Sequence, residues 1–596
     1  MQEFTVPAAY TVPDGANLTD SVWDNADSHP ESVVFSRRVD GDWSDVTAVQ
    51  FRDDVVAVAK GLVAAGVKPG DRVGLMSKTR YEWTLVDYAI WSAGAITVPI
   101  YETSSAEQVQ WILGDSGAVA VVVEAPSHAA TVESVRPQLP DLAHVWQLDD
   151  GAIDALTAGG ADTPDAEIAA RRAATGPDTA ATIIYTSGTT GRPKGCELTH
   201  ANLLFDVGNA MPGLSGLFNP DGSTLLFLPL AHVFARLIQC GAVATRTRMG
   251  HTADVKNLLD DLAVFQPTFV LSVPRVFEKV YNGARQKAHA AGKGSIFDAA
   301  EKVAITYSEA QASGGAGVGL KLKHAVFDRL VFSKLRTVLG GRCHAAVSGG
   351  APLGSRLGHF FRGIGLTVYE GYGLTETSAG CTLNLQNALK VGTVGRPLPG
   401  VSVRIADDGE VMIHGGLVFR QYWHNEAATK EAIDADGWFH SGDIGQLDDE
   451  GYLSITGRKK ELIVTAGGKN VAPAVLEDRL RAHPLISQCM VVGDAQPFIG
   501  CLVTIDPEAF PAWKERAGKP AEATVSDLHT DDDLRADIQL AVDDANKAVS
   551  KAEAIKVFRI LPRDFTEEGG ELTPSLKLKR NVVLKEYADE IAAIYA

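Results

Sequence analysis

Tyr185-Thr186-Ser187-Gly188-Thr189-Thr190-Gly191-Arg192-Pro193-Lys194-Gly195 gathers three glycines, four aliphatic hydroxyls and a lysine in eleven residues. Glycines let backbone N–H groups turn toward an anion without steric cost, the hydroxyls of Thr186, Ser187, Thr189 and Thr190 add donors, and Lys194 adds charge. That is the chemistry of a phosphate cradle. A P-loop nucleotidase is excluded, because it needs Ser or Thr directly after its lysine to hold magnesium, whereas Lys194 is followed by Gly195.

Four other places carry matching chemistry. In Ser348-Gly349-Gly350-Ala351-Pro352 the paired glycines allow a flat base to approach the backbone closely. Tyr372-Gly373-Leu374-Thr375-Glu376 sets a carboxylate beside a hydroxyl, a pair suited to magnesium shared with phosphate oxygens. Asp443, after Ser441-Gly442, is a carboxylate of the kind that accepts from both hydroxyls of a ribose. Near the C-terminus, Lys577 and Lys579 stand in the basic run Leu576-Lys577-Leu578-Lys579-Arg580.

Taken in this order, the motifs resemble the adenylate-forming superfamily, most closely the bacterial long-chain fatty acid–CoA ligases, over residues from about 30 to 590. The resemblance implies that adenine stacks on Tyr372, that Thr375 binds the α-phosphate, and that Glu376, with Thr186 nearby, holds Mg²⁺. It implies that Asp443 holds the ribose with help from Arg458, that His232 gates the acyl and thiol paths, and that Lys577 is the catalytic lysine, with Lys579 its rival. Leu576 replaces the glycine that usually precedes that lysine. Lys460 becomes a swivel, and Gly467 and Gly468 keep a path open for the pantetheine arm of CoA. The expected substrates are a fatty acid, ATP and CoA.

These residues need a frame. The apolar spacing of Phe51, Val55, Val58 and Leu62 predicts an amphipathic helix from Thr47 to Lys68, and Pro69-Gly70-Asp71 turns it into a strand at Arg72–Met76. Helix and strand then alternate through Trp83–Trp91 and Ala95–Ile100, and Val119–Val123 reads as a strand buried on both faces, so an α/β fold with a parallel sheet is expected. The run Ala181–Ile184 predicts a strand and Thr199–Asn202 a helix start, which makes the phosphate cradle a strand-to-helix loop. Residues 149–179 read as a loose connector. Ser223–Pro229 reads as a strand ending at His232, and 278–340 as helical pieces broken by the glycine-rich spacer 313–317. The charged stretch Gly457-Arg458-Lys459-Lys460 marks a boundary between a large domain, 1–456, and a small one, 457–596.

Composition narrows the function classes. The 596 residues carry a formal charge of −19, which argues against a nucleic-acid surface, since phosphate binding there needs clustered lysine and arginine. Six scattered cysteines without a CxxC pair form neither a disulfide framework nor a zinc ribbon and fit reduced thiols. Neither a signal-peptide pattern nor an apolar run of about 20 residues is present, so the expected chain is cytoplasmic, with room for loose peripheral contact with a membrane. Two rival functions are an acyl-AMP ligase, which tends to carry a CoA-blocking segment not evident between Gly415 and Lys469, and a non-catalytic nucleotide-binding regulator, which would have lost Glu376 or Lys577.

Overall fold

The computed structural model describes every residue other than 40, 187–191 and 574–576, with the side chain of Val255 also outside the description. Two large sheets organise the chain up to Tyr422. One runs Gln421–Tyr422, Lys194–Thr199, Ala180–Thr186, Ile96–Ile100, Arg72–Met76, Ala118–Val123, His144–Gln147. Its middle strands are parallel, as the buried apolar runs predict. The other runs Arg396–Pro397, Thr382–Leu383, Thr367–Tyr372, Ala345–Ser348, Phe269–Ser272, Ser223–Leu226, Arg248–His251, Val33–Val39, Asp42–Thr47, also parallel through its centre.

Helices fill the space between the sheets. Tyr81–Ser92 buries every residue except Glu82, and Val233–Thr245 is buried through most of its length. A helix that is apolar all round belongs inside a protein. The two helices are joined where Arg236 forks onto Asp87, Nη2 to Oδ1 at 2.6 Å and Nε to Oδ2 at 3.2 Å, with both side chains essentially inaccessible. An antiparallel sheet of Glu3–Thr5, Val401–Ile405, Glu410–Gly415, Phe439–Leu447 and Leu453–Arg458 closes one side.

The remaining residues form a small α/β unit whose three strands are Ile486–Val492, Ile499–Ile505 and Ile555–Ile560. Alternation along these strands sends Cys489, Val491, Cys501 and Val503 toward helices Pro473–Arg481 and Asp532–Asn546, and Met490, Val492 and Leu502 toward Val583, Tyr587 and Ile594. The large apolar core extends to Leu453 with Ile455 packed on it, and the small core begins at Ile463.

Three local expectations are corrected. The stretch 149–179 is not a loose connector: it folds into helices Ala152–Gly159 and Asp165–Ala174, because Leu156 and Ile168 are buried against the helix Ala48–Ala64 region despite a polar, alanine-rich composition. The phosphate-cradle segment does not lead from strand to helix. It joins Ala180–Thr186 to an antiparallel partner, Lys194–Thr199, in a hairpin whose register pairs Thr186 with Lys194. The strand expected over Ser223–Pro229 stops at Leu226, and His232 is the N-cap of helix Val233–Thr245, its Nδ1 accepting from the Phe234 N–H at 3.2 Å.

Candidate functional site

A cavity of about 1530 Å³ opens where the two large sheets, the antiparallel sheet and the small unit meet. Its polar part is lined by Thr186, Lys194, Gly349, Gly350, Tyr372, Gly373, Thr375, Glu376, Arg458, Lys460, Lys577 and Lys579. His232 stands beside Val233, Phe234, Leu237 and Ile238, which with Met211 and Leu214 line an apolar arm. Strands of both large sheets end at the cavity, so Thr186 from one sheet and Ser348 and Tyr372 from the other arrive together although they are far apart in sequence.

Around Glu376 the contacts are dense. The Tyr422 hydroxyl donates to its Oε1 at 2.7 Å, and the Lys194 ammonium lies over the Tyr422 ring, 5.0 Å from the centroid. Burial and the neighbouring Glu376 charge push the Tyr422 hydroxyl well above the ordinary phenol range, so it remains a donor. Tyr422 carried no sequence signal: it is placed by strand pairing, opposite Cys196. Gly373 is required sterically, since a Cβ there would lie 1.6 Å from the Ala379 carbonyl oxygen.

Asp443 and Arg458 face each other on neighbouring strands, with Arg458 Nε 2.9 Å from Asp443 Oδ1. The Tyr372 hydroxyl donates to Asp443 Oδ2 at 2.6 Å, and burial together with that carboxylate raises its pKa well above the phenol range. Asp443 is thus buried behind the cavity wall, whereas its two partners line the cavity.

Lys577 enters from the small unit and is tied to Thr573 by paired bonds, Lys577 N–H to Thr573 Oγ1 at 3.0 Å and Thr573 N–H to the Lys577 carbonyl at 2.8 Å. Burial and the positive Arg458 lower its pKa, while Asp443 and Glu376 work in the opposite sense. His232 is lowered to about 3 by burial and by the Lys577 charge, so its imidazole is neutral across the physiological range. Lys577 is thus electrostatically coupled to His232, Glu376, Asp443 and Arg458.

Other expected residues lie elsewhere. Ala351 does not line the cavity, and Gly467 and Gly468 are exposed and away from it. Ser187, Gly188, Thr189 and Thr190 fall outside the described residues. Lys460, which does line the cavity, follows Lys459, whose ammonium is tied to Asp408 at 2.6 Å and Glu410 at 3.1 Å of the large domain.

Residues 22–423 match the AMP-binding enzyme family, and residues 460–596 match the AMP-binding enzyme C-terminal domain. A long-chain-fatty-acid–CoA ligase of Mycobacterium bovis, FadD15, is 57% identical over the whole of both chains. Human long-chain-fatty-acid–CoA ligase 1 is 30% identical, the alignment covering 94% of this chain and 84% of that protein. Among solved structures, the adenylation domain of carboxylic acid reductase from Segniliparus rugosus, in complex with AMP and a carboxylic acid, superposes with a TM-score of 0.75 at 19% identity, covering 98% of this chain and 95% of that one. ATP-bound MatB from Rhodopseudomonas palustris superposes with a TM-score of 0.70 at 22% identity, covering 97% and 99%. The chain belongs to the AMP-binding, adenylate-forming enzyme family.

Proposed function

We propose that this chain is a long-chain fatty acid–CoA ligase, which joins a fatty acid to ATP as acyl-AMP with release of pyrophosphate and then passes the acyl group to CoA with release of AMP. The observation that carries this reading is the convergence of Lys577, Glu376, Thr186, Lys194 and Tyr372 on the polar end of one cavity whose other arm is apolar. Identity of 57% to a ligase of that name over full length supports it.

In the first step a fatty carboxylate attacks the anionic α-phosphorus, and pyrophosphate leaves. Two negative groups must approach, so the work is positioning and charge neutralisation rather than covalent catalysis. Lys577 bridges the two charges in this reading. The low proton affinity of an empty, cation-flanked Lys577 rises once triphosphate and carboxylate oxygens surround it. Neutral His232, whose Nδ1 accepts from the Phe234 N–H and whose Nε2 therefore carries the ring proton, positions the acyl carboxylate beside the apolar arm. Thr375 and Lys194 hold phosphates, Gly349 and Gly350 flank the base against Tyr372, and Asp443 with Arg458 takes the ribose once the wall behind Tyr372 opens to it.

Thr186 and Glu376 line the same cavity and suit magnesium, a hard ion that takes one or two protein oxygens and completes its shell with phosphates and water. Magnesium bound there would neutralise phosphate charge. In the second step the CoA thiol attacks the acyl carbonyl and AMP leaves. We assign residues 457–596 as a swivelling domain that turns at Lys460 and brings Gly467 and Gly468 to the thiol path.

The test is thioester formation with ATP, Mg²⁺ and CoA across saturated acids from acetate to C20, with AMP and pyrophosphate followed in parallel. Thioester appearing mainly with the longer acids is the expected result. Acyl-AMP accumulating without thioester would identify an acyl-AMP ligase, and no turnover with any acid would identify a regulator.

A further inference from the structure

The helix Val318–Phe327 has no fully buried residue, and three of its apolar side chains face away from the core. Val318 is 76% exposed, Leu322 65% and Val326 56%, and Leu330, in the π-helical turn Asp328–Phe332 that follows, is 51% exposed. At about 100° per residue, Val318, Leu322 and Val326 form one stripe centred on Leu322. The opposite face is the one attached to the protein. There the His324 ring stacks on Tyr307 with centroids 3.9 Å apart, its Nε2 bonds the Gly363 carbonyl at 2.6 Å, and Phe327 packs on the large apolar cluster beneath.

Charge completes the pattern. Lys321 and Lys323, one residue either side of Leu322, fall on the two flanks of the stripe, both exposed. Residues 317–340 hold five lysines and arginines against a single aspartate, Asp328, and that aspartate is engaged by Arg336 at 2.7 Å. In a chain whose net charge is −19 this is a local reversal of sign. An apolar stripe with a lysine on each flank is the form of a helix that lies in a lipid interface: the stripe enters the acyl boundary, and the lysines reach up to anionic headgroups.

We propose that the Val318–Leu330 face docks on the surface of an anionic phospholipid bilayer. The rest of the molecule is repelled by such a surface, so this one face also sets the orientation of docking. The inference stands on the exposed stripe and its charges and does not depend on the ligase reading.

The experiment is co-sedimentation of the full-length protein with vesicles of phosphatidylglycerol and of phosphatidylcholine, at low and high salt. The expected result is binding to phosphatidylglycerol that weakens with salt, with little binding to phosphatidylcholine. The paired substitution Leu322→Glu with Val326→Glu should cut the vesicle-bound fraction about tenfold or more, and Lys321→Glu with Lys323→Glu should remove the preference for the anionic lipid. Both variants should keep the wild-type helical content and the wild-type rate on a water-soluble medium-chain acid, which separates loss of docking from loss of folding or of activity. Equal sedimentation of wild type and stripe variant overturns the proposal. So does lipid-free self-association of the wild type that the stripe substitutions abolish, since the occupant would then be a second copy of this chain.

Discussion

At the scale of single residues, the cavity separates two kinds of group: those that must carry charge and those that hold the charged ones in place. Lys577 belongs to the first kind. Replacing it with alanine should slow acyl-AMP formation by two to three orders of magnitude, the usual cost of losing a charge aimed at a transition state. Conversion of supplied acyl-AMP to thioester should survive, and Lys579→Ala should leave both halves near wild type. Stopped assays of pyrophosphate release and of thioester yield check this, and equal loss of both halves in Lys577→Ala would refute the assignment. Tyr422 belongs to the second kind. Its hydroxyl bonds Glu376 at 2.7 Å, so Tyr422→Phe leaves the carboxylate less well oriented while keeping the ring under Lys194. A several-fold higher Mg²⁺ requirement with a smaller change in the maximal rate is expected, and an unchanged Mg²⁺ titration would remove Tyr422 from that role.

At the scale of elements, the strand Thr367–Tyr372 illustrates both what can be read from a sequence and what cannot. Glu370, one turn of the pleat before Gly371, is nearly inaccessible and accepts from the Leu353 N–H at 2.9 Å. Burial first, and Asp478 of the small domain in addition, raise it to about 7 in spite of that bond. A carboxyl that is protonated in the fold and ionised in the unfolded chain adds stability at low pH that is lost as pH rises from about 4.5 to about 7. Glu370→Gln keeps an acceptor for Leu353 and removes the charge, so it should flatten that slope and gain on the order of 1–3 kcal/mol at pH 8. Urea melts at pH 5 and pH 8 measure it, and a slope as steep in the variant as in wild type would exclude Glu370 as its source. The Tyr372–Glu376 motif on this strand was legible because its chemistry is local: ring, glycine, hydroxyl and carboxylate lie within five residues. Arg72–Met76 and the buried strand near Val119–Val123 were legible from apolar runs and punctuation for the same reason. Helices Ala152–Gly159 and Asp165–Ala174 were not, because only Ala152 and Leu156 in the first and Ile168 in the second are buried, and what buries them is a distant helix. The hairpin that carries Thr186 and Lys194 was missed likewise, since pairing between Ala180–Thr186 and Lys194–Thr199 is a decision of register that no periodicity announces.

For the molecule as a whole, the question is what keeps the small domain where Lys577 can reach the cavity. Its contact with the large domain along helix Pro274–Ala290 is polar: Arg275 bonds Asp506 at 3.2 Å and Ser487 at 3.4 Å, and Lys279 bonds Glu508 at 3.1 Å. Such contacts hold an orientation without the large apolar area that would make it permanent, which suits the swivelling proposed for this domain. The pivot is defined from the other side. Lys459 is held to Asp408 and Glu410, which in the proposed swivel would leave rotation to begin at the next residue, Lys460. The two sets of contacts therefore predict opposite kinetic phenotypes. Lys460→Pro stiffens the pivot and should spare acyl-AMP formation while slowing thioester formation by tenfold or more. Arg275→Ala loosens the docked arrangement: one charge-assisted latch is worth roughly 1.5–3 kcal/mol, and discounted for its partial exposure it should still shift the docked population several-fold. Adenylation should slow while thioester formation from supplied acyl-AMP is unchanged or faster. Combining the substitutions should not restore either half, because one removes the arrangement for the first step and the other blocks the arrangement for the second. If Arg275→Ala slowed both halves alike, the contact would be holding the fold together rather than selecting between its two working positions.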